Sequence, residues 1–321
     1  MTAALLPHAM NAIERYYLRN FKKICSKVTD RLRVPRRVMN NIRHGILFRY
    51  MRHNYGELIR RFKRLQPPYG ERIGEDAPIF VMWYQGEASM PPLVQSTYRS
   101  IVQYAGRHPV ILITQENMRQ YLSKTSLWDN RIYSFVEEGK LGMAHLADLA
   151  RMCLLHAYGG FWIDATILLN RELDDFVPTG LTFFSGRRPG WKDNTNAPQG
   201  RWTSYFFACG KGNTLVQFMY ELMHAHLLHE QRFIDYFMMD YSFAFAYRTF
   251  PFAKAMVDAS PGFDHRFDAW ETVWKRPWKG EEEFQAWRDT SPFFKLTYKG
   301  ACTKRTADGQ PTYYAHLIGE A

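Results

Sequence analysis

The segment of residues 143–169 constrains the fold more than any other part of the chain. Its first half places apolar side chains at helical spacing, and Gly159 then supplies a residue that can end such a helix. The second half, residues 161–169, is apolar enough for a buried strand but is interrupted by Asp164. Because an ionised carboxylate is costly to bury unless it is paired, hydrogen-bonded or bound to a cation, Asp164 is predicted to be functional.

Buried strands alternate with helices in the sequence around this segment. The predicted order is strand 79–83, helix 91–104, strand 110–113, helix 116–122, helix 129–137, helix 144–158 and strand 161–169. This alternation predicts an α/β fold with a parallel, helix-covered sheet. Such sheets bind ligands at the carboxyl ends of their strands, where both Trp83 and Asp164 are expected to lie.

An ordered set of residues in the same segment resembles the core of the capsular polysaccharide synthesis family, which is related to the DXD-containing sugar transferases. An Asp-x-x-Arg helix runs there through Tyr-Gly-Gly into a strand that ends in Asp-x-Asp or Asp-x-Thr. The matching residues here are Asp148, Arg151, Tyr158, Gly159, Gly160, Trp162, Asp164 and Thr166. The similarity extends over about residues 79–299. It implies a GT-A fold, Rossmann-like with a mostly parallel sheet and flanking helices.

The resemblance also implies which residues act. The implied catalytic residues are Asp148, Arg151 and Asp164, and the implied nucleotide-sugar-binding residues are Trp83, Gln85, Asp148, Arg151, Lys295 and Lys299. Asp148 and Arg151 are three residues apart, so they share a helix face and could orient the donor sugar. Trp83 could stack on the nucleotide base, although a core tryptophan at a strand end explains that residue equally well.

A divalent cation, Mn²⁺ or Mg²⁺, is a further implication of the resemblance, because a sugar transferase must neutralise the departing diphosphate. Asp164 and Thr166 would hold the cation, with Asp240 as a further candidate ligand. Thr166 stands where the second acid of a DXD motif often lies, and a hydroxyl binds a cation more weakly than a carboxylate does. The alternative for Asp164 is a buried carboxylate that caps a turn.

The basic charge of the chain is concentrated at its N-terminus. Residues 1–66 hold 16 Lys and Arg against three acids, whereas the whole chain has a net charge of +11. Apolar positions at helical spacing predict short basic helices there, and Pro67-Pro68 marks a boundary between a helical extension, 1–66, and a GT-A domain, 67–321. Helices of this kind can bind anionic membranes, which is the predicted role of residues 1–66. Two other interpretations of the segment are a nucleic-acid-binding arm and a solvated helical cap.

The sequence thus predicts a bacterial hexosyltransferase that moves a sugar from a UDP-linked donor to a surface glycan or a lipid-linked capsular acceptor, retaining anomeric configuration as its relatives do. No run approaches the roughly 18 apolar residues of a membrane span, and the N-terminus lacks the pattern of a secretory leader. We therefore expect a cytoplasmic protein at the inner face of the membrane, with no nucleic-acid partner. The alternatives are a non-catalytic scaffold of a polysaccharide assembly complex and a nucleic-acid-binding protein.

Overall fold

The computed structural model describes residues 12–188, 190, 195–263, 273–299 and 303–320, so residues 1–11 of the predicted extension lie outside the described part. The helices are α1 (Ala12–Arg19), α2 (Phe21–Leu32), α3 (Arg36–Asn54), α4 (Gly56–Lys63), α5 (Pro92–Gln103), α6 (Met118–Leu122), α7 (Arg131–Glu137), α8 (Met143–Tyr158), α9 (Thr214–Glu230), α10 (Met238–Thr249), α11 (Pro251–Ala259), α12 (Glu281–Arg288) and α13 (Tyr313–Leu317). The strands are β1 (Ile79–Met82), β2 (Val110–Ile113), β3 (Gly160–Ile163), β4 (Ile167–Leu169), β5 (Phe183–Ser185), β6 (Phe206–Cys209) and β7 (Phe293–Lys295).

A five-stranded sheet in the order β2-β1-β3-β6-β5 forms the centre of the molecule. Strand β1 pairs in parallel with β2 and β3, whereas β6 runs antiparallel to both β3 and β5. Four of the five strands therefore point the same way, which confirms the predicted α/β fold with a mostly parallel sheet and flanking helices. A smaller antiparallel sheet pairs β4 with β7.

Side chains alternate between the two faces of the central sheet, as the period of a strand requires. Phe80 and Trp162 point into one apolar cluster, which also contains the buried side chains of α8, α9 and α10. Val81 and Ile163 point into a second cluster, which α5 and the small sheet complete. Because both faces are covered, the strands are apolar throughout, and this explains why they stand out in the sequence.

The apolar run of residues 161–169, predicted as one strand, is two strands in two different sheets. The chain turns at residues 164–166, where the backbone N–H of Ile167 donates to the carbonyl of Asp164 at 2.9 Å. The prediction of a single strand was wrong because β3 and β4 are both buried, so hydrophobic periodicity gives no sign of the turn. Asp164 and Thr166 consequently lie in the link between the two sheets.

The N-terminal helices are packed against the rest of the protein. Leu47, Met51 and Phe62 are fully or almost fully buried in the same apolar cluster as α8, α9 and α10. Arg43 of α3 donates two hydrogen bonds to the carboxylate of Asp235, at 2.6 and 2.8 Å. The domain boundary at residue 66 stays a prediction. Among the described residues, no helix is long and apolar enough to cross a membrane.

Gly160 is expected to tolerate no side chain. Its φ is +101°, and a Cβ atom built on it would lie 2.1 Å from the carbonyl oxygen of Pro78. We expect Gly160→Ala to lower the free energy of unfolding by about 3 kcal/mol or more, from backbone strain and overlap with Pro78, the residue before β1. Urea denaturation measures this, with Gly139→Ala as the control. Gly139 has a φ of +67° and open space around it, so a loss of only about 1 kcal/mol is expected. Equal effects of the two substitutions would contradict the packing argument.

Candidate active site

A cleft of about 1110 Å³ opens at the carboxyl ends of β1 and β3. Trp83 directly follows β1 and Asp164 directly follows β3, and because the two strands are parallel neighbours both residues reach the same edge of the sheet. All nine residues predicted from the sequence line this cleft: Trp83, Gln85, Asp148, Arg151, Asp164, Thr166, Asp240, Lys295 and Lys299. The tertiary structure thus brings together residues spread over more than half of the chain.

Arg151 is held by contacts on several sides. One guanidinium nitrogen lies 3.2 Å from the carboxylate of Asp148 and 3.5 Å from that of Asp164, while another donates to the carbonyl of Ser204. The guanidinium carbon lies 4.6 Å from the ring centre of Trp162, and the side chain is only 8% exposed. Asp148 and Arg151 therefore do not form a solvated surface pair. They fix a planar array of hydrogen-bond donors at the floor of the cleft.

Asp164 is held by two cations and one indole. Its Oδ1 accepts from Trp162 Nε1 at 2.9 Å, and its Oδ2 accepts from Lys295 Nζ at 2.9 Å. Burial opposes ionisation of this carboxyl, but the positive charges of Lys295 and Arg151 and the two hydrogen bonds outweigh it and hold its pKa below the usual value. The carboxylate is therefore ionised at neutral pH.

In the other two acids of the cleft, Asp148 and Asp240, the pKa is raised and not lowered. Burial raises the pKa of Asp148, although the positive charge of Arg151 opposes the rise. Burial, reinforced by the negative charge of Asp148, raises the pKa of Asp240 to about 7, and a hydrogen bond from Trp202 Nε1 at 3.1 Å only partly offsets this. The cleft thus contains one firmly ionised carboxylate and one that gains or loses its proton near neutral pH.

Asp240 is expected to make the protein less stable as pH rises. Its pKa in the folded protein is above that in the unfolded chain, so the folded state binds the proton more tightly between about pH 4 and 7 and stability falls across that range. We expect Asp240→Asn, which keeps an acceptor for Trp202, to raise the free energy of unfolding by about 2–4 kcal/mol at pH 8 and by half of that or less at pH 5. Urea denaturation at both pH values measures this. If Asp240→Asn raised the free energy of unfolding equally at pH 5 and pH 8, the result would contradict the raised pKa of Asp240.

Trp83 forms one wall of the cleft near its mouth. Its indole Nε1 donates to Ser89 Oγ at 2.9 Å, and its ring packs against that of Tyr298 in a T-shaped arrangement with the ring centres 5.5 Å apart. The side chain is only half-buried and borders the cleft, so a flat ring of a ligand can reach it. Gln85 and Lys299 are exposed residues of the cleft lining.

Sequence reasoning missed the part of the cleft that precedes β6. Ser204 and Tyr205 line the cleft, the ring centre of Tyr205 lies 5.0 Å from Lys295 Nζ, and Trp202 binds Asp240. The sequence predicts a parallel sheet, in which residues before a strand lie at the edge opposite the cleft. Because β6 is antiparallel, residues before it reach the cleft instead. The aromatic residues next to β6 were the only sequence signal for this wall.

The side chains predicted to bind Mn²⁺ or Mg²⁺ are arranged differently from a cation site. The Lys295 ammonium lies between Asp164 and Thr166, and Asp240 is bound to Trp202. In the described part of the chain, no group of three or more His, Cys, Asp or Glu side chains is arranged to hold a metal ion. As they stand, the residues do not fit the cation, which would first have to displace an ammonium from Asp164. The metal requirement remains a prediction from the sequence.

Comparison with known proteins identifies the family of the chain. The model of the capsular polysaccharide synthesis protein family matches residues 34–317. The chain belongs to this family. The match confirms the resemblance found in the sequence, and it includes α3 and α4 together with every residue of the cleft lining.

One sequence relative and one solved structure are similar to parts of this family member. The O-glycosyltransferase braB of Annulohypoxylon truncatum is 28% identical over 109 residues, which is 32% of this chain and 26% of the relative. The chain thus matches about a quarter of that protein's length. Among solved structures, the PaToxG glycosyltransferase is similar with a TM-score of 0.41 and 13% identity, over 68% of this chain and 83% of that one.

Proposed function

We propose that this capsular polysaccharide synthesis family member is a glycosyltransferase. It would move a hexose from a nucleotide-linked donor, UDP-linked as the resemblance implies, to a surface glycan or a lipid-linked capsular acceptor. The observation that carries the proposal is the convergence of all nine sequence-predicted residues on one cleft. That cleft combines a half-buried tryptophan, an anchored guanidinium and a lysine ammonium, which are groups suited to a base, a sugar and a diphosphate.

Each part of the donor has a counterpart in the cleft. Trp83 would stack on the base at the mouth. Lys295, with Lys299 nearby, would neutralise the diphosphate. Asp148 and Arg151, held together at the floor, would accept from and donate to sugar hydroxyls. Because Arg151 is already anchored by two carboxylates, little side-chain entropy is lost when the sugar binds.

The transfer itself breaks one bond and forms one. The bond between the anomeric carbon and the diphosphate oxygen breaks, positive charge develops on the sugar ring, and the acceptor oxygen bonds to the same carbon. The acceptor proton passes to a diphosphate oxygen as the diphosphate departs. Attack on the face that the diphosphate leaves would retain the anomeric configuration, as the resemblance implies. Lys295 would stabilise the negative charge of the leaving group.

This function can be tested by measuring the release of free nucleotide from a panel of UDP-, GDP-, CDP- and CMP-linked sugars. The protein should release nucleotide from one donor, slowly with water and faster with an acceptor glycan. Trp83→Leu should raise the Kd for that nucleotide about 5- to 150-fold, because stacking contributes roughly 1–3 kcal/mol. A folded protein that neither binds nor cleaves any donor would instead support a non-catalytic scaffold.

We also propose that α1, α2 and the start of α3 bind the anionic inner face of the cell membrane. Exposed basic residues there are Lys23, Lys27, Arg31, Arg33, Arg36 and Arg37. Exposed apolar residues on the same helices are Ile13, Tyr16, Val38 and Ile42, which are 80%, 64%, 44% and 46% exposed. A basic surface with protruding apolar side chains suits a membrane interface, where each basic residue contributes about 1 kcal/mol. The acceptor lipid would be presented at that surface.

Flotation with vesicles tests this location, and charge reversal is the appropriate variant because deletion of residues 1–66 would also remove core residues. The test variant carries Lys23→Glu, Lys27→Glu and Arg36→Glu, and the control carries Lys124→Glu, Lys211→Glu and Lys275→Glu, which are exposed elsewhere. The test variant should bind phosphatidylserine vesicles at least about 100-fold more weakly, and the control should change much less. If both variants lost vesicle binding equally, the binding would depend on the overall charge of the protein and not on these helices.

A further inference from the structure

The position predicted for a metal ion is occupied by a side chain of the protein itself. Lys295 Nζ lies 2.9 Å from Asp164 Oδ2 and 2.6 Å from Thr166 Oγ1, and these are the two residues that stand at the DXD positions. An ammonium therefore bridges the pair that would otherwise share a cation. No other described hydrogen bond of the Asp164 carboxylate comes from a lysine.

This placement of Lys295 follows from the backbone. Strand β7 pairs with β4 so that Lys295 is the partner of Ile167, and the backbone N–H of Leu296 donates to the carbonyl of Thr166 at 2.9 Å. The aliphatic part of Lys295 therefore starts beside the residues that its ammonium reaches. Because a β-ladder fixes the register, the ammonium is held near Asp164 by the fold and not by the rotamer alone.

Of the two cations paired with Asp164, Lys295 is the better able to reach a ligand in the cleft. Arg151 is 8% exposed and already bound to two carboxylates and a carbonyl, whereas the Lys295 side chain is 26% exposed and lines the cleft. An ammonium has three N–H groups, and the described hydrogen bonds to Asp164 and Thr166 use two of them. The third can donate to a phosphate oxygen.

We propose that the Lys295 ammonium takes the role of the divalent cation in this cleft, so that the protein binds the diphosphate of its donor without a metal. The proposal rests on the proposed function, since it assumes a nucleoside diphosphate in the cleft. Asp164 and Thr166 would then be positioning residues that orient the ammonium. Binding would depend on Lys295 and on ionic strength, and would be insensitive to chelators.

Calorimetric titration of the full chain with UDP, GDP and CDP tests this, in EDTA and again with saturating Mn²⁺. We expect one nucleotide to bind in EDTA with a Kd that Mn²⁺ changes by less than about threefold. Lys295→Met should raise that Kd at least about tenfold, because it removes a charge-assisted hydrogen bond. Lys295→Arg should keep most of the affinity, and Lys124→Met, an exposed lysine far along the chain, should keep all of it.

The outcomes separate the two proposals. Binding that appears only with Mn²⁺ and survives in Lys295→Met would overturn the role of Lys295 and support the metal, while the proposed function stands. Absence of binding of all three nucleotides in both conditions would contradict the proposed function and the role of Lys295 with it. Thermal unfolding of each variant shows whether a loss of affinity reflects a loss of folded protein, and Lys295→Arg retains the charge in case Lys295→Met does not fold.

Discussion

Replacing Asp164 by Asn is expected to lower kcat/KM for nucleotide release at least about 100-fold. Asn keeps an acceptor for Trp162 but has no charge for Lys295, at 2.9 Å, or for Arg151, at 3.5 Å. Both cations would lose the partner that orients them toward the donor. Initial rates of nucleotide release with the preferred donor measure this effect, together with the Kd for the product nucleotide, which should rise as well.

Asp76→Asn is a matched control for Asp164→Asn, because Asp76 is an exposed carboxylate outside the cleft lining. It should leave kcat/KM within about twofold. The pKa of Asp164 is held below its usual value, so its contribution to stability is present at neutral pH and is lost as pH falls through the acid range. Both variants can therefore be compared at pH 7.5. Rates for Asp164→Asn within about threefold of the wild type would remove Asp164 from the active site.

Replacing Arg43 by Met is expected to lower the free energy of unfolding by about 3–5 kcal/mol. The side chains of Arg43 and Asp235 are 10% and 3% exposed, and Arg43 donates to both carboxylate oxygens. Without the guanidinium, Asp235 would be a buried carboxylate with only the backbone N–H of Phe237 as a described donor. Urea denaturation followed by circular dichroism measures the loss.

A double substitution distinguishes the effect of breaking the Arg43–Asp235 ion pair from the effect of losing side-chain packing. Arg43→Met with Asp235→Leu should recover much of the stability, because an apolar pair can replace a buried ion pair of similar volume. Arg36→Met, at an exposed residue of the same helix, should change the free energy of unfolding by less than about 0.5 kcal/mol. If Arg43→Met lowered the free energy of unfolding no more than Arg36→Met does, the Arg43–Asp235 pair would not stabilise the packing of α3 against the rest of the protein.

The tight packing of α3 and α4 affects how the N-terminal region can be studied. Leu47 and Met51 are fully buried in a cluster that also contains residues of α8, the helix that carries Asp148 and Arg151. Truncation at residue 66 would thus expose the cluster that supports the cleft. Point substitutions on the outer face of α2 and α3 are the informative experiments.

Local features of the sequence were sufficient for the sheet core and for most of the cleft. Strands β1, β2 and β3 and helix α8 were predicted because their periodicity and the Gly159-Gly160 pair are encoded by adjacent residues. Trp83 and Asp164 were expected to be close because both follow parallel strands, and they line one cleft. These predictions needed only patterns that extend over fewer than about 20 residues.

The sequence by itself showed that Asp164 interrupts a buried element, and its resemblance to a known family indicated the Asp148–Arg151 pair. Only the tertiary structure decided what Asp164 binds. Lys295 lies 131 residues away in the chain, and it reaches Asp164 because β7 pairs with β4 in one particular register. Likewise, Ser204 and Tyr205 reach the cleft because β6 runs antiparallel. Strand direction and register depend on pairing between distant segments, and a local pattern of apolar residues is the same for either choice.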